Sequence, residues 1–100
     1  MNFIKNITHV LEEIPIYQWT LDHVGTWLKN LNYDQNFIDL FRFHEIDGEI
    51  LFMLDKNDLE KMGIVQIGKQ KKFIKNLNNL KLKSIEKFVK YVNLKENNLL

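Results

Sequence analysis

Cysteine is absent from the 100 residues. No disulfide framework, thiolate metal site or thiol nucleophile can form within them, and a reducing, intracellular (cytoplasmic) setting is expected. Alanine is absent as well, while Asn, Lys, Ile and Leu are abundant; this reads as a nucleotide-composition bias at tolerant surface positions, without functional content. Long apolar runs are missing. None approaches the roughly 18 residues that a spanning helix needs, and Met1-Asn-Phe-Ile-Lys lacks the apolar core of a signal peptide. A soluble piece of a longer protein, with no membrane partner, is the expectation. Equally missing are a glycine-rich phosphate loop, a nucleophile paired with a base, and a cluster of metal-ligand residues; His9, His23 and His44 are scattered along the chain. No catalysis, metal or cofactor is expected of this segment, although a parent protein could carry an enzyme domain such as a kinase. A chain this short builds one domain, too small to add a large ligand cleft to its core.

The charges that are present are sorted along the chain. From Lys29 to Lys61, eight acids (Asp34, Asp39, Glu45, Asp47, Glu49, Asp55, Asp58, Glu60) face Lys29, Arg42, Lys56 and Lys61, a balance of −4. From Met62 to Val92 the sign reverses: eight lysines face Glu86 alone, a balance of +7. An acidic half is joined to a basic half.

Apolar periodicity is helical throughout. Phe3, Ile4, Ile7, Val10, Leu11 and Ile14 predict an amphipathic helix over residues 2–14, ended by the lone proline, Pro15. Thr20 can cap a helix over 21–30 whose stripe is Val24, Trp27, Leu28 and Leu31, with Trp19 packing back from outside the cap. A second helix, 34–43, turns Phe37, Leu40 and Phe41 inward. At Ile46-Asp47-Gly48, Asp47 can cap a short third helix that supplies Ile50, Leu51 and Leu54 to the core, and Gly48 allows a tight turn. Asp55-x-x-Asp58 reads as a capping box for a fourth helix that Gly63 ends, with Leu59, Met62 and Ile64 beneath it. A fifth helix starts near Ile67-Gly68 and buries Phe73, Leu77 and Leu80. Beyond Leu80 the stripe Leu82, Ile85, Val89, Val92 points about 140° away from that face. Either the helix breaks near Asn78 and Asn79, or one long helix serves two partners. The tail from Leu94 should fray.

Taken together, W-T-x3-V-x2-W-L from Trp19, F-x3-F-x4-I-D-G-x2-L from Phe37, and D-L-x2-M-G-I-x3-G-x3-K from Asp58 closely resemble a sterile alpha motif (SAM) domain. The resemblance covers about 60 residues. It implies an all-α fold: a five-helix SAM-type bundle with an extra N-terminal helix and an extended C-terminal helix. The expected organisation is an amphipathic helix packing on the domain over 1–15, the SAM domain over 16–81, and an extension of the fifth helix with a frayed tail over 82–100. Its core would hold Trp19, Val24, Trp27, Leu28, Phe37, Phe41, Ile46, Leu51, Leu59, Ile64, Phe73 and Leu77. The stripe of Ile4, Ile7, Leu11 and Ile14 is predicted to pack against Leu82, Ile85, Val89 and Val92.

The resemblance also implies a role as a protein–protein interaction module in a larger signalling or scaffold protein, possessing two surfaces that associate head to tail. The mid-loop surface would be Glu45, Asp47, Glu49, Asp55 and Asp58. The end-helix surface would be Val65, Ile67, Gly68, Lys69, Lys71, Lys72 and Lys75, where a helix N-terminus adds its own positive end to the lysines. The expected partner is another SAM domain, of the same or a different protein. Many family members place an arginine where this chain has Gln70, which removes a bidentate donor. The alternative is an RNA-binding SAM domain using the basic start of the fifth helix, disfavoured because arginine and exposed aromatics are missing there.

Overall fold

The computed structural model describes residues 11–96. Among them the order is a 3-10 turn at Ile16–Gln18, α1 (Leu21–Asn30), α2 (Gln35–Phe43), α3 (Gly48–Met53), α4 (Lys56–Lys61) and α5 (Ile67–Glu96), with no strand. The fold class is all-α. The chain falls into two compact units, one reaching to Gly63 and the other beginning at Ile64. Of the expected N-terminal helix, residues 11–13 are helical, Leu11 is buried and Ile14 is half-buried past the helix end; residues 2–10, with Ile4 and Ile7, lie outside the described residues.

Side-chain caps place the boundaries of the first unit. The Thr20 hydroxyl accepts from His23 N–H at 3.3 Å, and His23 Nδ1 accepts from Thr20 N–H at 3.0 Å. The reciprocal box thus uses a histidine where Glu or Gln is usual, a role for His23 that its place off the apolar stripe does not reveal. Asp34 caps α2 through Phe37 N–H at 2.9 Å, and Asp47 caps α3 through Ile50 N–H at 3.0 Å. Asp55 and Asp58 cap α4 reciprocally, both bonds being 3.0 Å.

The exits of α1 and α2 share one device. Asn32 (φ 66°) and Glu45 (φ 53°) are left-handed. Tyr33 N–H then reaches the Leu28 carbonyl, and Ile46 N–H reaches that of Phe41, closing the six-to-one bond of a Schellman turn at each helix end. The second turn brings buried Ile46 back over buried Phe41. In the first, Tyr33 stacks on Phe37 with ring centroids 4.3 Å apart.

Gly48 is required for a reason other than a tight turn. Its N–H donates to the Trp19 carbonyl at 2.9 Å. A Cβ there would lie 1.7 Å from the Ile16 carbonyl oxygen and 2.7 Å from Trp19 Cβ. The 3-10 turn lies directly against the start of α3, and only a hydrogen fits between them. Trp19 is buried behind this contact, with its indole N–H donated to the Ile14 carbonyl at 3.0 Å.

Val24, Leu28, Phe41, Ile46, Leu51, Leu54, Leu59 and Met62 are buried with Trp19 in the first unit. Several expected interior positions are not. Trp27 and Phe37 are half-buried; their rings lean on Trp19 and on Tyr33 and Phe41, so they cover the edge of the core. Leu31 is exposed because α1 has ended there, and Ile50 is exposed because Leu51 takes the inward side of a six-residue helix.

In the second unit α5 runs unbroken for 30 residues, about 45 Å, through Asn78 and Asn79. No break occurs, and the helix continues past Leu94 to Glu96. Gln70, Phe73 and Leu77 are its buried side, while Leu80 is half-buried. Leu82, Ile85 and Val89 are about half exposed.

Candidate interaction surfaces

The acidic stretch of the first unit is built from helix starts. Asp47, Asp55 and Asp58 each give a carboxylate oxygen to a backbone N–H, so these three are structural before they can be anything else. Glu45 and Glu49 serve no cap; both are exposed, one at the left-handed exit of α2 and the other in the first turn of α3. Beside them an open groove of about 350 Å³ runs between the end of α2, α3 and α4, lined by His44, Ile50, Met53, Leu54, Asp58 and Lys61. Its apolar rim is open to solvent: Met53 is 62 % exposed, and nearby in sequence Phe43 is 78 % exposed.

Phe43, Ile50 and Met53 were absent from the expected surface. For Ile50 and Met53 the signal is the run Ile50-Leu-Phe-Met-Leu54. A helix of six residues can bury one side only, so five consecutive apolar residues must leave some facing water.

In the second unit the expected residues cluster at the start of α5. Val65 is 64 % exposed and Ile67 67 % exposed, and Gly68, Lys69, Lys71, Lys72 and Lys75 are exposed around them. Free amides of the first turn and the dipole favour an anion at this end. Gln70 is turned the other way. It is buried, and its amide donates to the Ile64 carbonyl at 2.8 Å, tying the helix to the segment before it. Position 70 therefore serves the interior of this chain.

Residues 17–81 match the family model described as SAM domain (sterile alpha motif). The chain belongs to the sterile alpha motif family. SAM domains are protein-interaction modules, and the aligned relatives carry theirs as a small part of a long chain. Mouse diacylglycerol kinase delta is 29 % identical over 66 residues, which is 66 % of this chain and 5 % of that protein. Mouse diacylglycerol kinase eta gives the same figures. SH3 and multiple ankyrin repeat domains protein 2 of Xenopus laevis is 37 % identical over 54 residues, 54 % of this chain and 4 % of that protein. The SAM match ends near Leu80, where α5 changes its apolar face; the helix itself continues for four further turns.

No helix among the described residues is long and apolar enough to cross a membrane. None of the described His, Asp and Glu side chains group as a metal site.

Proposed function

We propose that this SAM domain joins to a SAM domain of another molecule, the groove side of one molecule meeting the start of α5 of the next, within a larger intracellular signalling protein of the kinase or scaffold class. The observation that carries this reading is that both surfaces have an apolar centre with charge of opposite sign around it. Val65 and Ile67 stand among lysines, and Ile50 and Met53 stand beside Glu45 and Glu49. Such a pairing of apolar centre and complementary rim is what a specific interface requires. The two surfaces differ, so the contact is heterologous, and it propagates into open chains unless its rotation closes a ring.

Glu45 supports the same reading. A left-handed backbone suits glycine, and a glutamate there holds strain. Glu45→Gly is expected to raise stability by about 1 kcal/mol while weakening assembly. Thermal melts and sedimentation of the same sample check both halves; a variant that assembles normally removes Glu45 from the contact.

Charge reversal tests the assembly without disturbing a cap. Glu49→Lys and Lys72→Glu should each leave a monomer at concentrations where the wild type associates, with dissociation constants raised at least about tenfold, or about 1.4 kcal/mol. Mixed in equal amounts, the two should form a dimer, because each retains the surface its partner lost. Light scattering over a concentration series reads this directly. A mixture that stays monomeric while the wild type associates would place the contact elsewhere. The RNA alternative gains no observation of this kind: the aromatic in the first turns of α5, Phe73, is buried, and arginine is absent there.

A further inference from the structure

The second half of α5 presents an apolar face for which the interaction surfaces above have no use. Leu82, Ile85 and Val89 are about half exposed. Because α5 is one uninterrupted helix, directions along it can be compared at 100° per residue. Leu82, Ile85, Val89 and Val92 span about 80°. Lys71 and Lys75, two to three turns earlier, fall within about 20° of Leu82. Buried Phe73, Leu77 and Gln70 point to the other side. One exposed side of a single helix thus carries exposed lysines in its first half and large apolar side chains in its second.

The charge decides what can cover it. Lysine occurs nine times in α5 and glutamate twice, at Glu86 and Glu96. A second copy would bring the same excess of positive charge to the contact. Its apolar seam would also last only two heptads, short of the roughly three to four that a coiled coil sustains. A negatively charged surface removes the repulsion. Lysines beside an apolar face are the pattern by which a helix lies in the headgroup layer of an anionic bilayer, its aliphatic and aromatic side chains entering the acyl boundary.

We infer that the exposed side of α5, from Lys71 to Val92, docks flat on an anionic lipid surface. Leu82, Ile85 and Val89 enter it, and Lys71 and Lys75 meet the headgroups. This departs from the sequence expectation of no membrane partner, which rested on the absence of long apolar runs. It does not depend on head-to-tail assembly, since a monomer presents the same face.

The test is co-sedimentation of the full chain with phosphatidylcholine vesicles, with and without phosphatidylserine. Partition should be at least about tenfold greater on the phosphatidylserine vesicles and should fall as salt is raised. Two double variants, Ile85→Ser with Val89→Ser and Lys71→Glu with Lys75→Glu, should each lose most of that binding. Both alter exposed positions, and far-ultraviolet circular dichroism without vesicles checks that the helix persists. Equal binding to both vesicle types, no binding to either, or serine variants that bind like the wild type would each overturn the proposal. So would a lipid-free dimer that the serine substitutions abolish, which would assign the face to a second copy.

Discussion

Gly48→Ala is expected to destabilise this domain more than any other addition of a single methyl group. The new Cβ would sit 1.7 Å from a backbone oxygen, that of Ile16, and 2.7 Å from Trp19 Cβ. A flexible side chain could swing away from such a contact, but a carbonyl in a 3-10 turn moves only with its segment. Shifting that segment strains the bond from Gly48 N–H to the Trp19 carbonyl and the seating of the buried indole. Overpacking of this kind costs about 1–3 kcal/mol and sometimes more. A loss of about 3 kcal/mol is expected here, a lowering of the melting midpoint by roughly 12–24 °C for a domain of this size. Gly68→Ala is the matching control. Nothing lies within 4 Å of its Cβ position, and it is a helical residue in the first turn of α5. Alanine there should raise stability by about 0.4–1 kcal/mol. Thermal melts of the two variants side by side decide the matter: a Gly48→Ala midpoint within a few degrees of wild type would mean that the 3-10 turn is not held against α3.

The second large effect separates two phenylalanines two positions apart on α2. Phe41 is 1 % exposed and in ring contact with Phe37 at 5.0 Å. Truncation to alanine removes a fully buried ring and leaves a cavity beneath the Schellman turn. The expected loss is about 3–5 kcal/mol, a large share of the roughly 5–15 kcal/mol that holds a small domain together. Phe43, about 200° around the same helix, contacts the His44 ring edge-on and is otherwise open to water. Phe43→Ala should change stability by no more than about 0.5 kcal/mol. Urea unfolding of both variants is the measurement. Comparable losses would show that α2 buries both sides, contrary to the exposure of Phe43.

These two positions also separate what local pattern can reveal from what it cannot. Phe41 was legible as an inward residue because Phe37, Leu40 and Phe41 repeat at helical spacing. The caps at Thr20, Asp47 and Asp55 were legible because capping is a local bond between residues three apart. The exposure of Val65, Ile67 and the four lysines at the start of α5 follows for the same reason: they are neighbours in sequence and stay neighbours on the helix start. The groove side was read only in part. Three of its five expected acids give an oxygen to a cap, and the exposed apolar residues that line the groove, Ile50 and Met53, are not among the expected surface residues. Which side of a short apolar helix is covered depends on residues distant in sequence, and periodicity over six residues cannot choose.

The sequence by itself determined the family, the all-α class, the starts of α1 to α5 to within about a residue and the sorting of charge into an acidic and a basic half, because each rests on spacings within a few turns of the chain. Tertiary structure alone decided that Gly48 is a point of close approach between separate segments. It decided that Gln70 faces inward and bonds the Ile64 carbonyl, and that Trp27 and Phe37 cover the core edge. It also decided that the helix continues through Asn78 and Asn79, where two weak helix formers left the local balance undetermined. For Gly48, Gln70, Trp27 and Phe37 the deciding quantity was the space left by residues outside their own helical turn, which no local pattern records.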